Sequence, residues 1–497
     1  MLLSFRGTIS AFTILMFVSI VQLLYLAFYP STFATQLNRQ QYQQDIQFFV
    51  DVIKQRSAFA VLSPQDLQRI ETESQKLTRS ASKQTSAAAL EQQLQQLISK
   101  LNDPAASVSL ISSTQTAVTL PLALRFDGEH WHAFSNKKKL LAEDLPYLTH
   151  IDGIPMNRWV KAAQVYLANP LKQSAQAQTD WLQHITKLRQ DIGLAANKKV
   201  VLTLSNGEVS EQHTLTLAHE SSDTGGLQPF TASTPSHSIA NSEHHLLRFE
   251  DELDSATIKQ LSHLLAQKEL YSQQESRSPL TLDIRAIKSP QPQLMALLQS
   301  HFGQANQSTS IGLLRYKRFA TSRAEHIANQ YFSIAELSFF EQSRLLNHGF
   351  NNALNQNSAL SDFLVRQHQS SPNSAEISQQ KLTLLIDSSC ELECEWIALA
   401  SLNWPNVELI GETTRGSLSP RYYATLPNSG IQLQFSQGIV YSPSGQLISG
   451  IGLAPAMQLN HLAFEDEQVV ALIAAQKLTR SLAPLKGTVA IATLEKR

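Results

Sequence analysis

Apolar residues crowd the start of the chain, where Ile9 to Phe28 is nonpolar apart from scattered Ser and Thr positions and Gln22, with Arg6 ahead of it. A run of about 20 such residues can cross a bilayer, whereas the core of a cleavable signal is usually about 7–15. The run therefore predicts an uncleaved inner-membrane anchor over residues 9–28, within an N-terminal segment 1–34, with Arg6 on the cytoplasmic side. Thr32-Phe33-Ala34 resembles a small-residue cleavage site, so secretion after cutting near Ala34 is the alternative. Both readings put Thr35 onward on the periplasmic, extracytoplasmic side.

The pattern then takes a helical period. Tyr42, Ile46, Phe49, Val50 and Ile53 share one face, Leu67, Ile70 and Leu77 a second, and Leu90, Leu94, Leu97, Ile98 and Leu101 a third. Ser63-Pro64-Gln65-Asp66 is a helix start, with serine as cap, proline in the first turn and aspartate at the positive end. Residues 37–110 read as a helical domain. Residues 116–220 alternate apolar and polar, as in Leu120–Phe126 and Val200–Leu204, and read as β-rich. Residues 221–241, rich in Ser, Thr, Gly and Pro, read as a linker. In 242–460 short apolar strands such as Leu382–Ile386 alternate with helical stretches, giving an α/β core. Within it, about 304–380 is polar and poorly patterned, an insertion. Residues 461–497 end the chain with a helix carrying Val469, Val470, Leu472 and Ile473, and a tail. The fold class is thus multidomain, mixed α+β and α/β.

Lys+Arg 40 against Asp+Glu 41 leaves a net charge of -1, so a nucleic-acid partner is not expected. Charged residues are 16% of the chain, below the usual share of about 25%. The surface should be polar but weakly charged. The two cysteines, Cys390 and Cys394, make no framework spanning the fold; they form either a local disulfide or two buried thiols. The histidines show no metal-ligand spacing, and neither a metal nor a cofactor is expected.

Chemistry concentrates at residues 381–400. The strand Leu382–Ile386 runs into Asp387-Ser388-Ser389, whose side chains favour turns and helix caps, and then into a helix carrying Trp396, Ile397 and Leu399. Such a turn exposes one side chain at a helix N-terminus, where backbone N–H groups favour developing negative charge.

This segment resembles the nucleophile turn of the tail-specific, or C-terminal-processing, serine peptidases, one branch of which carries Cys-x-Ser-x-Cys. Here the run is Cys390-Glu391-Leu392-Glu393-Cys394, with Leu392 at the serine position. Leu101-Asn102-Asp103-Pro104-Ala105 is similar to the family's Leu-x-Asp-Gly-His, with Ala105 at the position of the histidine base. The strand ending Leu282-Asp283-Ile284-Arg285 is similar to Leu-Asp-Leu-Arg. Relatives continue with paired glycines of the oxyanion site, and this chain has Ser289-Pro290. Ile410-Gly411-Glu412-Thr413-Thr414-Arg415-Gly416-Ser417 resembles the family's Ile-Gly-Glu-x-Thr-x-Gly-x, with Ser417 at the lysine base of another branch. His150-Ile151-Asp152-Gly153-Ile154-Pro155 resembles a turn of its PDZ-like region, and Gly450-Ile451-Gly452-Leu453-Ala454-Pro455 its closing motif.

The resemblance implies an N-terminal helical domain, a PDZ-like middle region and a crotonase-like peptidase core. It implies a pseudopeptidase without nucleophile or base, whose partner is a polypeptide segment or another protein, and which binds or scaffolds. The alternative is an active serine-type or thiol endopeptidase with its nucleophile displaced to Ser388, Ser389 or Cys390. The plain reading of Ser388 and Ser389 is helix capping. A structural envelope protein whose cleft binds nothing is a third possibility.

Overall fold

The structure is a computed structural model that describes residues 15–20, 33–110, 118–135, 139–195, 197–219, 238–240, 245–251, 253–270, 280–303, 309–317, 331–347, 359–368 and 381–459. Most of the expected anchor, most of the linker and the C-terminal helix lie outside these residues. Leu15–Ile20 is helical and exposed. Among the described residues no helix is long and apolar enough to cross a membrane.

The helical domain consists of α1 (Arg39–Arg56), α2 (Pro64–Arg79) and α3 (Ala87–Ile98). A capping box starts α1: Asn38 accepts from the Gln41 N–H, and the Gln41 side chain accepts from the Asn38 N–H. Ser86 caps α3 by accepting from Ala89. Ser63, expected to cap α2, instead donates its hydroxyl to Asp66. The apolar faces read from the sequence meet in one core, which also takes in Leu433 and Phe435 from far along the chain. After β1 (Ser107–Leu110) comes the β-rich unit.

That unit is an antiparallel sheet built from β2 (Ala123–Phe126), β3 (Trp131–Phe134), β4 (Tyr147–Ile151), β5 (Lys199–Ser205) and β6 (Ser210–Thr216). Its order is β6-β5-β4-β3-β2. Helices α4 (Met156–Gln164), α5 (Ala175–Leu182) and α6 (Ile185–Asp191), which alternation did not reveal, belong to the same unit. Trp159 and Leu188 share a core with Leu202 and Leu204. The Asp-Gly turn is pinned from within, because the Asp152 carboxylate takes Arg189 at 2.6 Å and the Val201 N–H at 3.1 Å.

The third unit holds β7 (His245–Arg248), α7 (Ser255–Leu270), β8 (Leu280–Asp283), α8 (Pro292–Phe302), β9 (Thr309–Tyr316), β10 (Leu364–His368), β11 (Leu382–Ile386), α9 (Glu393–Ser401), β12 (Val407–Gly411), β13 (Arg421–Thr425), β14 (Ile431–Ser436), β15 (Gly438–Tyr441) and β16 (Met457–Gln458). Strands β7-β8-β11-β12-β16 are parallel in that order, with Ser238–Ala240 antiparallel at the edge beyond β7. Every residue of β11 is buried, as expected for an apolar strand covered on both faces. In the stretch read as an insertion, the described residues are more regular than their polarity suggested, with the helical pieces expected around Ile334–Leu346 present as Ile334–Glu336 and Phe339–Asn347. The stretch supplies β9, β10 and Tyr331–Ser333, which join β15 in an antiparallel sheet. Strand β14 pairs with both β13 and β1, tying the core to the helical domain.

Two retained glycines have packing reasons. A Cβ on Gly411 (φ +126°) would lie 2.0 Å from the Ile386 carbonyl oxygen. A Cβ on Gly416 (φ +78°) would lie 2.8–3.0 Å from the backbone nitrogens of Gly450, Ile451 and Gly452. The Gly-Glu and Gly-x-Gly motifs are needed for folding, whatever chemistry accompanies them.

Candidate active site

Residues 387–392 lie at the C-terminal end of β11, in the middle of the parallel sheet, where open α/β sheets place their sites. Leu392 is the N-cap of α9 and has φ 53° and ψ −116°. Of the described non-glycine residues, only Asn102, Asp152 and Leu392 have positive φ. Asn and Asp tolerate that region through local hydrogen bonds, but leucine does not, and such a conformation costs about 1–3 kcal/mol. A costly turn conformation is thus held at a leucine, whose side chain has no hydrogen bond to offset it.

Its neighbours hold it there. The Leu392 N–H donates to the Ser417 carbonyl at 3.0 Å, and the Arg415 N–H donates to the Cys390 carbonyl at 3.1 Å. Cys390 and Cys394 are joined as a disulfide with Cα atoms 5.4 Å apart, both sulfurs buried. Replacing both cysteines by serine is expected to cost about 2 kcal/mol, the loop-entropy figure for so short a ring. Urea denaturation with and without reductant checks it: the wild-type midpoint should fall on reduction and the variant's should not.

Most of the groups at the positions that the resemblance implies for base and oxyanion donors are engaged within the fold. Ala105 offers no side-chain acceptor; its N–H donates to Asp103 and its carbonyl accepts from Gln434. Beside it the Arg415 guanidinium donates to the Pro104 carbonyl at 3.1 Å, and a guanidinium cannot take a proton. Ser417 is buried, its N–H given to Glu395 and its hydroxyl without a partner among the described residues. On the oxyanion side, the Lys288 and Ser289 N–H groups both donate to the Asp251 carboxylate, at 2.7 and 2.5 Å, and Pro290 has none to give. The first N–H groups of α9 are also taken: Glu393 donates to the Lys288 carbonyl at 3.4 Å and Cys394 to the Ile287 carbonyl at 2.9 Å.

The displaced-nucleophile positions are engaged as well. Ser388 receives the Ser174 hydroxyl at 2.7 Å, a contact from the residue before α5 in the β-rich unit. Ser389 donates to Asp387, which Arg285 also holds. Neither serine caps α9. Cys390 is in the disulfide. Among the described residues no histidine is hydrogen-bonded to any of these, and no group of three His, Cys, Asp or Glu side chains is placed to hold a metal.

The alternating acids Glu391, Glu393 and Glu395 carry the electrostatics, and sequence reasoning passed over them. Acids at every second place in an otherwise apolar segment were the available signal. Glu391 pairs with Lys288 at 2.8 Å and Arg421 at 2.5 Å, with Arg415 at 3.9 Å. Burial pushes its carboxyl up, but Arg421, Arg415 and Lys288 outweigh that and bring it down to about 2. Glu395 is fully buried and accepts from Thr414, Gly416 and Ser417, yet burial outweighs these donors and raises it to about 7. Burial, with Asp387 nearby, also lifts Glu412 to about 7, and burial lifts Asp180 on α5 to about 6.

Carboxyls raised in the folded state stabilise it fully below their unfolded values near 4.5, and that contribution is lost as pH rises through 6–7. Burial lowers His184 to about 4, which gives the opposite slope, but only below pH 6.5. The expected result is a stability that falls between pH 6.5 and 8 by about 1 kcal/mol, more weakly in Glu412→Gln. Melting temperatures across that range check the sign.

No family model matches the sequence, and no curated relative matches it. Solved structures do resemble it. Mature CPAF is 14% identical, covering 91% of this chain and 99% of that one, with a TM-score of 0.61. Mature CPAF complexed with lactacystin is 13% identical, covering 89% and 98%, also with a TM-score of 0.61. A photosystem II D1 C-terminal processing protease aligns at 14% identity over 86% and 96%, with a TM-score of 0.40, too low to add weight. The likeness establishes a shared fold, the mixed α/β, multidomain architecture expected from the sequence.

Proposed function

We propose that this chain is a non-hydrolysing, tail-specific-peptidase-like protein that binds polypeptide or scaffolds a partner. One observation carries the reading. The strained nucleophile turn persists at Leu392, while the N–H groups around it are satisfied by Asp251, Lys288 and Ile287 rather than left facing a cleft. The buried disulfide and the N-terminal apolar run support an extracytoplasmic location, tethered through residues 9–28.

The alternative of a displaced nucleophile has a single point in its favour, the 2.5 Å hydrogen bond from the Ser389 hydroxyl to Asp387. Against it, Arg285 already engages the other oxygen of that carboxylate in an ion pair at 3.0 Å. The test is hydrolysis of an unfolded protein and of apolar-tailed peptides by the purified chain, beside labelling with a fluorophosphonate and a thiol-reactive probe. No turnover and no labelled residue is the expected result. Turnover abolished by Ser389→Ala would overturn the proposal.

A further inference from the structure

Two fates are open to the N-terminal apolar run, an uncut anchor or a signal removed near Ala34. The residues around that bond are built into the fold. Phe33 lies against Gly430, where a Cβ would come within 2.3 Å of the Phe33 Cγ. The Ala34 N–H donates to the Asn428 carbonyl at 2.9 Å, and the Thr35 carbonyl accepts from the Ala87 N–H at 2.9 Å. Gln36–Asn38 then pairs antiparallel with Gln84–Ser86, and Leu37 is fully buried in the core of the helical domain. The hairpin tip that receives Phe33 is fixed to α1 as well. Asp45 accepts from the N–H groups of Asn428 and Ser429 at 3.0 and 2.9 Å. A cut after Ala34 would strip Gly430 and Asn428 of the residues that cover them.

This attachment decides which side of the molecule can meet a bilayer. Between Phe28, where the apolar run ends, and Phe33 stand only Tyr29, Pro30, Ser31 and Thr32. Five peptide steps reach at most about 18 Å, whereas a chain of this length folds to a body roughly 50 Å across. A bilayer that holds residues 9–28 therefore lies against the side of the helical domain from which Phe33 emerges. The chemistry of that side suits it. Segments 33–44, 81–90 and 426–430 contain two charged residues, Arg39 and Lys83, and no acid. Asn38 pairs with Gln84, so the register brings Arg39 and Lys83 to the same end of the two-stranded ladder. Both are exposed, and neither is ion-paired among the described residues. Cations beside a membrane span attract anionic headgroups.

We propose that the side of the helical domain formed by the start of α1, the Gln84–Ser86 strand and the hairpin tip 426–430 docks on the membrane surface. Arg39 and Lys83 face anionic lipid headgroups, and the anchor stays uncut. The proposal rests on the reading of residues 9–28 as a tether and adds to it the face that meets the lipid.

The experiment uses the full chain produced in bacterial cells. Carbonate washing of the membranes and the intact mass of the extracted protein report on the tether. The expected result is retention in the membrane with the residues before Phe33 still attached. Release by the wash, or a mass that begins at Thr35, overturns the tether and the docked face together. The face is read separately, after reconstitution into vesicles of phosphatidylglycerol and phosphatidylcholine that carry a headgroup-quencher lipid. The two native cysteines are joined in a buried disulfide, so an introduced cysteine is the one free thiol. A fluorophore on Gln40→Cys, in the first turn of α1, is compared with one on Val209→Cys, exposed on the turn between β5 and β6. Quenching at position 40 should exceed that at 209 by about twofold or more. Arg39→Gln with Lys83→Gln should lower it to the level seen in pure phosphatidylcholine vesicles, with the melting temperature unchanged because both side chains are exposed. An uncut, membrane-retained chain with equal quenching at the two positions overturns the docked face and leaves the tether standing. Strong quenching at position 40 that the double variant does not lower overturns the headgroup contact of Arg39 and Lys83.

Discussion

Leu392→Ser is expected to leave the chain without peptidase activity. The substitution restores a hydroxyl at a turn that already has the shape to present it, with φ 53° at the start of α9. Shape is the smaller part of the requirement. A positioned general base contributes about 10^2–10^4-fold, and one oxyanion donor about 10^2–10^3-fold. The positions that the resemblance implies for a base supply none: Ala105 has no side-chain acceptor, and beside it Arg415 is bound to the Pro104 carbonyl. Tetrahedral charge would find the nearby N–H groups already given to Asp251, Lys288 and Ile287. The combined deficit is roughly 10^4-fold or more, which removes turnover from an ordinary assay. A fluorogenic peptide assay on the variant decides it. Robust turnover would mean that a base approaches from elsewhere and that the correspondence drawn at Ala105 and Ser417 is wrong.

Arg366→Met is expected to cost about 3–5 kcal/mol of stability, the usual loss when one partner of a buried ion pair is removed. Arg366 on β10 donates to both carboxylate oxygens of Glu393, at 3.2 and 2.9 Å, and stacks 4.7 Å from the Trp396 ring centre. Glu393 is 3% exposed and stands in the first turn of α9, so without Arg366 its charge is stranded. Adding Glu393→Leu should recover most of the loss, since neither charge then remains. Urea denaturation of the single and double variants measures each step. A single variant as stable as the wild type would show that β10 does not support the turn.

The same contact shows why the stretch from 304 to 380 was hard to read. Its polar composition concealed β9 and β10 because their partners are remote. Strand β9 pairs with β15, more than a hundred residues later, and Arg366 is buried only because Glu393 meets it. A local window cannot see a charge that is neutralised from another element. Helices α4, α5 and α6 were missed for a related reason: their apolar positions interleave with strands of the same unit, and alternation dominates short windows.

By itself the sequence determined the broad plan. Periodic apolar faces marked the helical domain, and continuous apolar runs marked the buried parallel strands. It also raised the expectation of a centre without nucleophile or base, because leucine and alanine stand where the resemblance implies those groups. Only the tertiary structure decided what occupies the space around them. That Asp251 takes the Lys288 and Ser289 N–H groups and that Arg415 bonds the loop before Ala105 are both contacts between distant segments. The physical reason is one of range. Identity and periodicity are local properties of a chain, whereas hydrogen-bond satisfaction and desolvation depend on what the fold brings within about 3–4 Å.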